Sequence, residues 1–304
     1  MTQPPPASSA EEVHARLADA IRALDIGRQM QIVSEQINAT EGAERAYWLR
    51  YRATLRMLHG SAERAAMVDA DWEEARRVAP HDPEIIVYEA LDRCIIFERI
   101  GELKAIPATM RPLVRTKLFG VWRYWYGMGG LHMLRRRWHQ SYRAFGKAQA
   151  LLDSLRPEEY VRVAGYTVHL RARRARAALR CNRPDSAALE VDLATEFDAR
   201  KERKYLHPIP LALARADLAL YHGRFQDART EIQQGLTRLA ASQTLKMFPQ
   251  GLIDQDLLAA RIARAEGNDV GFRHFAERAL ALAIENRLAW TEATVRAVME
   301  GAPY

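Results

Sequence analysis

The chain has 304 residues, with 45 Lys+Arg against 38 Asp+Glu, a formal net charge of +7, and a globular make-up of 48% hydrophobic and 27% charged residues. No apolar run approaches the ~20 residues of a membrane helix, the start Met1-Thr-Gln-Pro-Pro-Pro lacks signal-peptide regions, and Cys94 and Cys181 form neither a disulfide framework nor a zinc motif. Membrane-spanning, secreted and cysteine-rich classes are not expected, and a cytoplasmic protein without membrane contact is.

Residues 1–9 are read as a disordered arm, and 10–304 as one continuous domain. The 50 Ala, 39 Arg and 32 Leu are strong helix formers, whereas Val and Ile total only 29. Ser9-x-x-Glu12 is a capping box that opens a first helix with Val13, Leu17, Ala20, Ile21 and Leu24 on its apolar stripe. Gly27 marks the break before a second helix carrying Met30, Val33 and Ile37. A third runs from Glu41 to His59, and a fourth stops near Ala79, before Pro80. Asp82-Pro83 supplies an N-cap and an N1 proline for a fifth, ending near Arg99. Gly101, Gly120, Pro157, Pro184, Pro208, Gly223, Pro249, Gly251 and Gly267 punctuate the rest. The expected class is all-α, with about fifteen helices.

Internal repetition sets the arrangement. Around Gly223 the pattern is Ala216, Gly223, Phe225, Ala228, Ile232 and Gly235. It recurs as Ala260, Gly267, Asp269, Phe272, Ala276 and Ala279, as Gly129, Trp138, Ser141, Phe145 and Ala148, and as Ala175, Pro184, Ala187, Val191 and Ala194. Cys94, Gly101, Leu103, Ile106, Met110 and Leu113 form a weaker copy, and Trp72, Ala75 and Pro80 match the end of a unit. Turns are expected near 101, 136, 182, 223 and 267.

This pattern resembles the tetratricopeptide-like (TPR-like) helical repeats, in a divergent form with long units. The resemblance implies a right-handed α-solenoid of about seven hairpins, at 10–39, 41–79, 83–119, 121–154, 157–200, 208–241 and 249–286. Helix 288–300 would cap the last apolar face. In such stacks the first helix of each hairpin lines a concave groove, which here would present Arg99, Arg123, Tyr126, His169, Arg176, Arg180, Tyr221, Arg261 and Arg264. Asp217 falls on the same face.

Charge points to the same region. Residues 111–183 carry 17 Lys+Arg against three acids, whereas the rest of the chain carries 28 against 35. The belt is interleaved with Trp122, Tyr124, Trp125, Tyr126, Trp138, Tyr142, Tyr160 and Tyr166. Guanidinium forks suit carboxylates and phosphates. Pairing with acids of other hairpins would neutralise the belt instead.

Chemistry-bearing motifs are missing: the sequence has no HExxH, Gly-x-Ser-x-Gly, Walker or dinucleotide signature. Gly127-Met-Gly129-Gly130 reads as close helix packing. His132 and His139 are expected to be parted by a turn, so no metal site and no cofactor is assigned. The expectation is therefore a non-enzymatic protein- or peptide-binding scaffold or regulator that takes an acidic segment. Nucleic-acid binding on the 111–183 belt is the alternative, and a signalling-peptide or small-ligand sensor a third reading.

Overall fold

In a computed structural model, residues 10–23, 25–58, 62–82, 85–86, 89, 121–155, 157–199, 209–241 and 249–302 are described. The arm 1–9, most of the 83–119 hairpin, Cys94 and Arg99 lie outside them. Thirteen helices are present among the described residues, and no strand. None is long and apolar enough to cross a membrane. Two compact units emerge, one built on the first four helices and one on the remaining nine.

The N-terminal unit comprises α1 (Ala10–Arg22), α2 (Ile26–Ala39), α3 (Gly42–Leu58) and α4 (Ala62–Val78), each packed on the next. Asp25 caps α2, its Oδ1 accepting from the Arg28 N–H at 2.9 Å. The break therefore falls at Asp25, and Gly27 lies inside the first turn of α2. Val13, Leu17, Ile32, Val33, Ile37, Trp48, Leu49 and Trp72 are buried. Buried Asp71 of α4 accepts from Arg52 Nη2 at 2.6 Å and Arg56 Nη1 at 2.5 Å. One turn of α3 separates the two arginines, so a single helix face delivers both guanidinium groups.

The C-terminal unit comprises α5 (Val121–Leu134), α6 (Trp138–Asp153), α7 (Pro157–Arg180), α8 (Pro184–Ala199), α9 (Ile209–Tyr221), α10 (Phe225–Ala241), α11 (Pro249–Ala265), α12 (Asp269–Glu285) and α13 (Ala289–Met299). Each helix packs on its successor, and α7 with α9 and α9 with α11 also touch, consistent with a helical repeat.

The turns inside the hairpins follow one design. At Arg136, Asn182, Gly223 and Gly267 the backbone enters the left-handed region, with φ of 54°, 56°, 69° and 73°. The following N–H reaches back five residues in every case, Arg137 to His132, Arg183 to Ala178, Arg224 to Ala219 and Asn268 to Ala263, at 2.8–3.0 Å. This is the Schellman closure of a helix end. Glycine adopts it without steric cost at 223 and 267; at 136 an arginine holds the same conformation, which costs about 1 kcal/mol.

Measured from these turns, the small residues align. Seven positions before lie Gly129, Ala175, Ala216 and Ala260, and twelve after lie Ala148, Ala194, Gly235 and Ala279, all buried. They let the paired helices approach closely: a Cβ on Gly235 would stand 2.6 Å from that of Ala212. The glycines of α5 are buried within the helix, and the turn at Arg135–Arg137 parts His132 from His139.

Candidate functional site

Helix α7 organises the charged region of the C-terminal unit. Its 24 residues include Arg171, Arg173, Arg174, Arg176 and Arg180, which the helical period divides between two sides. Arg171 Nη1 and Arg174 Nη1 donate to buried Glu190 of α8 at 2.9 and 2.7 Å. Arg176 and Arg180, one turn apart, reach the other way to α9.

There, Asp217 is the centre of an ion cluster. Arg176 Nε donates to its Oδ2 at 2.8 Å, Arg180 Nη2 to Oδ1 at 3.2 Å, and Arg261 Nη1 of α11 to Oδ1 at 2.5 Å. Arg176 Nη1 also donates to Asp254 Oδ2 at 2.7 Å. The Asp217 side chain has no exposed area, and those of Arg176, Arg180 and Arg261 are 8%, 14% and 21% exposed. Burial by itself raises the Asp217 carboxyl; the charges of Arg180, Arg261 and Arg176 overturn that and hold it far below the ordinary carboxylate range.

The repeat explains why these side chains meet. Arg176, Asp217 and Arg261 each stand six residues before their hairpin's left-handed turn residue. Neighbouring helices α7, α9 and α11 therefore present positive, negative and positive groups at matching positions. The ladder ties three hairpins by charge where the small residues tie helices by shape.

Towards the start of α7 the same side becomes aromatic. Arg123 of α5 lies 4.5 Å over the Tyr166 ring and 5.1 Å from that of Trp122. Tyr126 packs near Tyr166 at 6.4 Å, and Tyr166 meets His169 at 6.5 Å. Arg173, partly buried, lies 5.5 Å over Tyr126. Tyr166, His169, Arg173, Arg176 and Arg180 share the i, i+3, i+7 spacing of one helix face.

Thus six of the residues expected at the groove fall into two adjoining groups: Arg123, Tyr126 and His169 in the aromatic one, Arg176, Arg180 and Arg261 in the ion cluster. Two lie apart. Tyr221 donates its hydroxyl to Asn182 Oδ1 at 2.6 Å. Arg264 stacks 3.7 Å over Phe272 and donates to the Val298 carbonyl at 3.2 Å. Arg99 is outside the described residues. Asp217, Asp254 and Glu190 are the ion-pair partners that charge counting within 111–183 passes over. The matching turn offset of Arg176 and Asp217 is the signal in the sequence that joins them.

Another buried acid shows the opposite situation. Asp256 is 2% exposed, one of its oxygens has no hydrogen-bond partner, and Arg278 of α12 comes only to 3.4 Å. Burial raises its carboxyl, opposed by Arg278 and His274. The folded chain thus holds this proton to higher pH than the unfolded chain does, so stability is lost as pH rises from about 4 through the folded value. Asp256→Asn should stabilise the protein at pH 7 by about 1 kcal/mol, with a smaller gain at pH 4. Thermal melts at the two pH values check both.

Among the described residues, no group of three or more His, Cys, Asp or Glu is placed to hold a metal ion. The sequence matches no family model and no curated protein.

Proposed function

We propose that the chain is a non-enzymatic, cytoplasmic scaffold or regulator, a TPR-like right-handed stack whose first helices line a groove for an acidic segment of a partner protein. The observation that carries this reading is the aromatic end of the α7 face, where Arg123 and Arg173 lie over the Tyr166 and Tyr126 rings beside His169, next to Arg176 and Arg180, which Asp217 holds. A preformed row of guanidinium groups on packed helices binds carboxylates bidentately with little ordering cost. Asp217 already illustrates the chemistry, being held by three of the groove arginines. Nucleic acid is the weaker ligand for this face. Base stacking requires open aromatic planes, whereas Trp122 and Tyr124 are buried and Tyr126 packs near Phe145 and Tyr166.

The test leaves the ion cluster intact. A fluorescent Glu/Asp-rich peptide is titrated by anisotropy at low salt into the wild type and into Arg123→Gln/Arg173→Gln. The expected result is binding by the wild type and about a tenfold loss in the variant, or ~1.4 kcal/mol, with unchanged circular dichroism. No binding by the wild type, or equal binding by both, overturns the proposal. Tighter binding of a single-stranded oligonucleotide, with a steep salt dependence, replaces it by the nucleic-acid reading.

A further inference from the structure

Helices α6 and α8 both pack on α7, and one side chain joins them. Arg174 of α7 donates from Nη1 to Glu190 of α8 at 2.7 Å, while its guanidinium stands 4.8 Å over the Tyr142 ring of α6. The two helices therefore lie side by side on the same side of α7. Each follows a left-handed turn residue, Arg136 or Asn182, and their exposed positions recur at similar offsets from it. On α6 the exposed stripe holds His139, Arg143, Lys147 and Ala150; on α8 it holds Asp185, Leu189, Asp192 and Glu196. This is the i, i+3, i+4, i+7 spacing of one helix face.

Charge sorts between the neighbours by sign. The stripe of α6 is cationic and that of α8 anionic, whereas the matching positions of α10 (Gln226, Thr230, Gln234 and Thr237) are uncharged. Among the described residues Arg143, Asp185 and Asp192 have no ion-pair partner. Lys147 meets the Trp125 ring at 4.0 Å, a contact with the ring face that uses none of its N–H donors on an oxygen. Leu189, between the two acids, is 58% exposed. An exposed leucine flanked by unpaired acids, beside a stripe of unpaired cations, is the composition of a contact surface with an apolar centre and a charged rim.

We propose that this outer face is self-complementary, and that two copies of the chain dimerise through it, with α6 of each on α8 of the other. A two-fold axis running along the helices, midway between α6 and α8, produces that pairing twice. Because the stripes share their offsets, Arg143 then comes over Leu189 between the two acids, and Lys147 comes opposite Asp192. An axis across the helices would set like charge on like. Two 16-residue helices, each about 24 Å long and ~10 Å wide, present roughly 500 Å² per copy, at or below the low end of specific interfaces. The dimer is therefore reversible, with a dissociation constant in the micromolar range, and salt-sensitive. Arg173 lies on the other side of α7, so the dimer does not depend on the acidic-segment reading.

Sedimentation velocity of the full chain across the micromolar range is the test. The wild type should pass from monomer to dimer as concentration rises, and high salt should weaken the dimer. Arg143→Glu/Lys147→Glu makes both stripes acidic, and Asp185→Lys/Asp192→Lys makes both basic. Each variant alone should dimerise about tenfold more weakly or worse, with unchanged circular dichroism, because all of these positions are exposed. If the lysine at 185, in the first turn of α8, disturbs the fold, Asp192→Lys alone takes its place. Mixed in equal amounts, the acidic and basic variants should recover a dimer, since each supplies the stripe that the other lacks. A wild type that is monomeric at every concentration overturns the proposal. So does a variant that dimerises as the wild type does, or a mixture that stays monomeric. If the wild type is monomeric and Arg143→Glu/Lys147→Glu loses the Glu/Asp-rich peptide, the α6 stripe takes an acidic partner other than a second copy, and the dimer is overturned.

Discussion

Asp217→Ala should destabilise the protein by about 3–5 kcal/mol, the cost of stripping a buried charge cluster of its counter-ion. The carboxylate is fully buried and accepts from three guanidinium groups that are themselves 8–21% exposed. Removing it leaves Arg176, Arg180 and Arg261 facing one another across the meeting of α7, α9 and α11. Asp254, which accepts from Arg176, is 37% exposed and so cannot supply the buried counter-charge that Asp217 does. Urea unfolding followed by circular dichroism measures the loss. A loss below about 1 kcal/mol would mean that the cluster behaves as a solvated surface pair. Replacing Asp217 and Arg176 together with Leu and Met should cost less than Asp217→Leu alone, because the double change also removes one of the three mutually repelling guanidinium groups that Asp217 held together.

The pH dependence carries the same signature. The folded carboxyl of Asp217 lies far below its ordinary value, so on acidification the unfolded chain takes up this proton first. The stabilisation is complete above about pH 5 and declines as pH falls below the unfolded value near 3.9. Asp217→Ala should lose that part of the acid slope. The same geometry governs how the binding face can be probed. Charge reversal at Arg176 or Arg180 would set two carboxylates side by side in a buried site and should unfold the unit, so lost binding there would say nothing about contact with a partner. Arg123 and Arg173 are the informative positions.

The architecture is legible in the sequence to the extent that it is local. Helical periodicity, the Gly and Pro punctuation and the hairpin turns at 136, 182, 223 and 267 are properties of contiguous residues. Small residues at fixed offsets from the turns reveal which helices approach. Gly27 shows the limit: a glycine attracts the reading of a break, yet Asp25 two positions earlier supplies the capping oxygen that starts α2. Charge is where local reading fails. The 111–183 belt is basic because its counter-ions are supplied by other helices, with Glu190, Asp217 and Asp254 lying 16 to 78 residues from the arginines they hold. A windowed count sees an uncompensated belt where the folded chain has interhelical ladders. The approach of Arg136 Nη2 in the α5–α6 turn to the Thr294 carbonyl of α13, at 3.4 Å, leaves no trace in any local pattern, since it depends on the path of the intervening hairpins.

Close helix approach yields the other large effect, and one whose sign depends on position. Gly129→Ala should destabilise the protein by about 2 kcal/mol, although alanine is favoured over glycine inside a helix by ~1 kcal/mol. The added Cβ would stand 2.4 Å from Cε1 and 2.5 Å from Cδ1 of Phe145. That ring cannot yield easily: it is fully buried, in a cluster with Trp122, Ala148, Leu152 and Leu170. The Ser141 hydroxyl, donating to the Gly129 carbonyl at 2.8 Å, further fixes α6 on α5 at this crossing. Shrinking the neighbour should restore much of the loss, so Gly129→Ala/Phe145→Leu should be more stable than the sum of its single changes predicts. Gly146→Ala, on α6 but facing α7, is the control. Its Cβ would meet nothing closer than the Arg174 guanidinium carbon at 3.6 Å, an ordinary contact, so the helix-propensity gain remains and the protein should be stabilised by about 0.5–1 kcal/mol. Denaturant midpoints of Gly129→Ala, Phe145→Leu, the double variant and Gly146→Ala decide the matter. Equal effects at 129 and 146 would mean that helix propensity alone is read out, and that α5 and α6 do not approach as closely as their small-residue register requires.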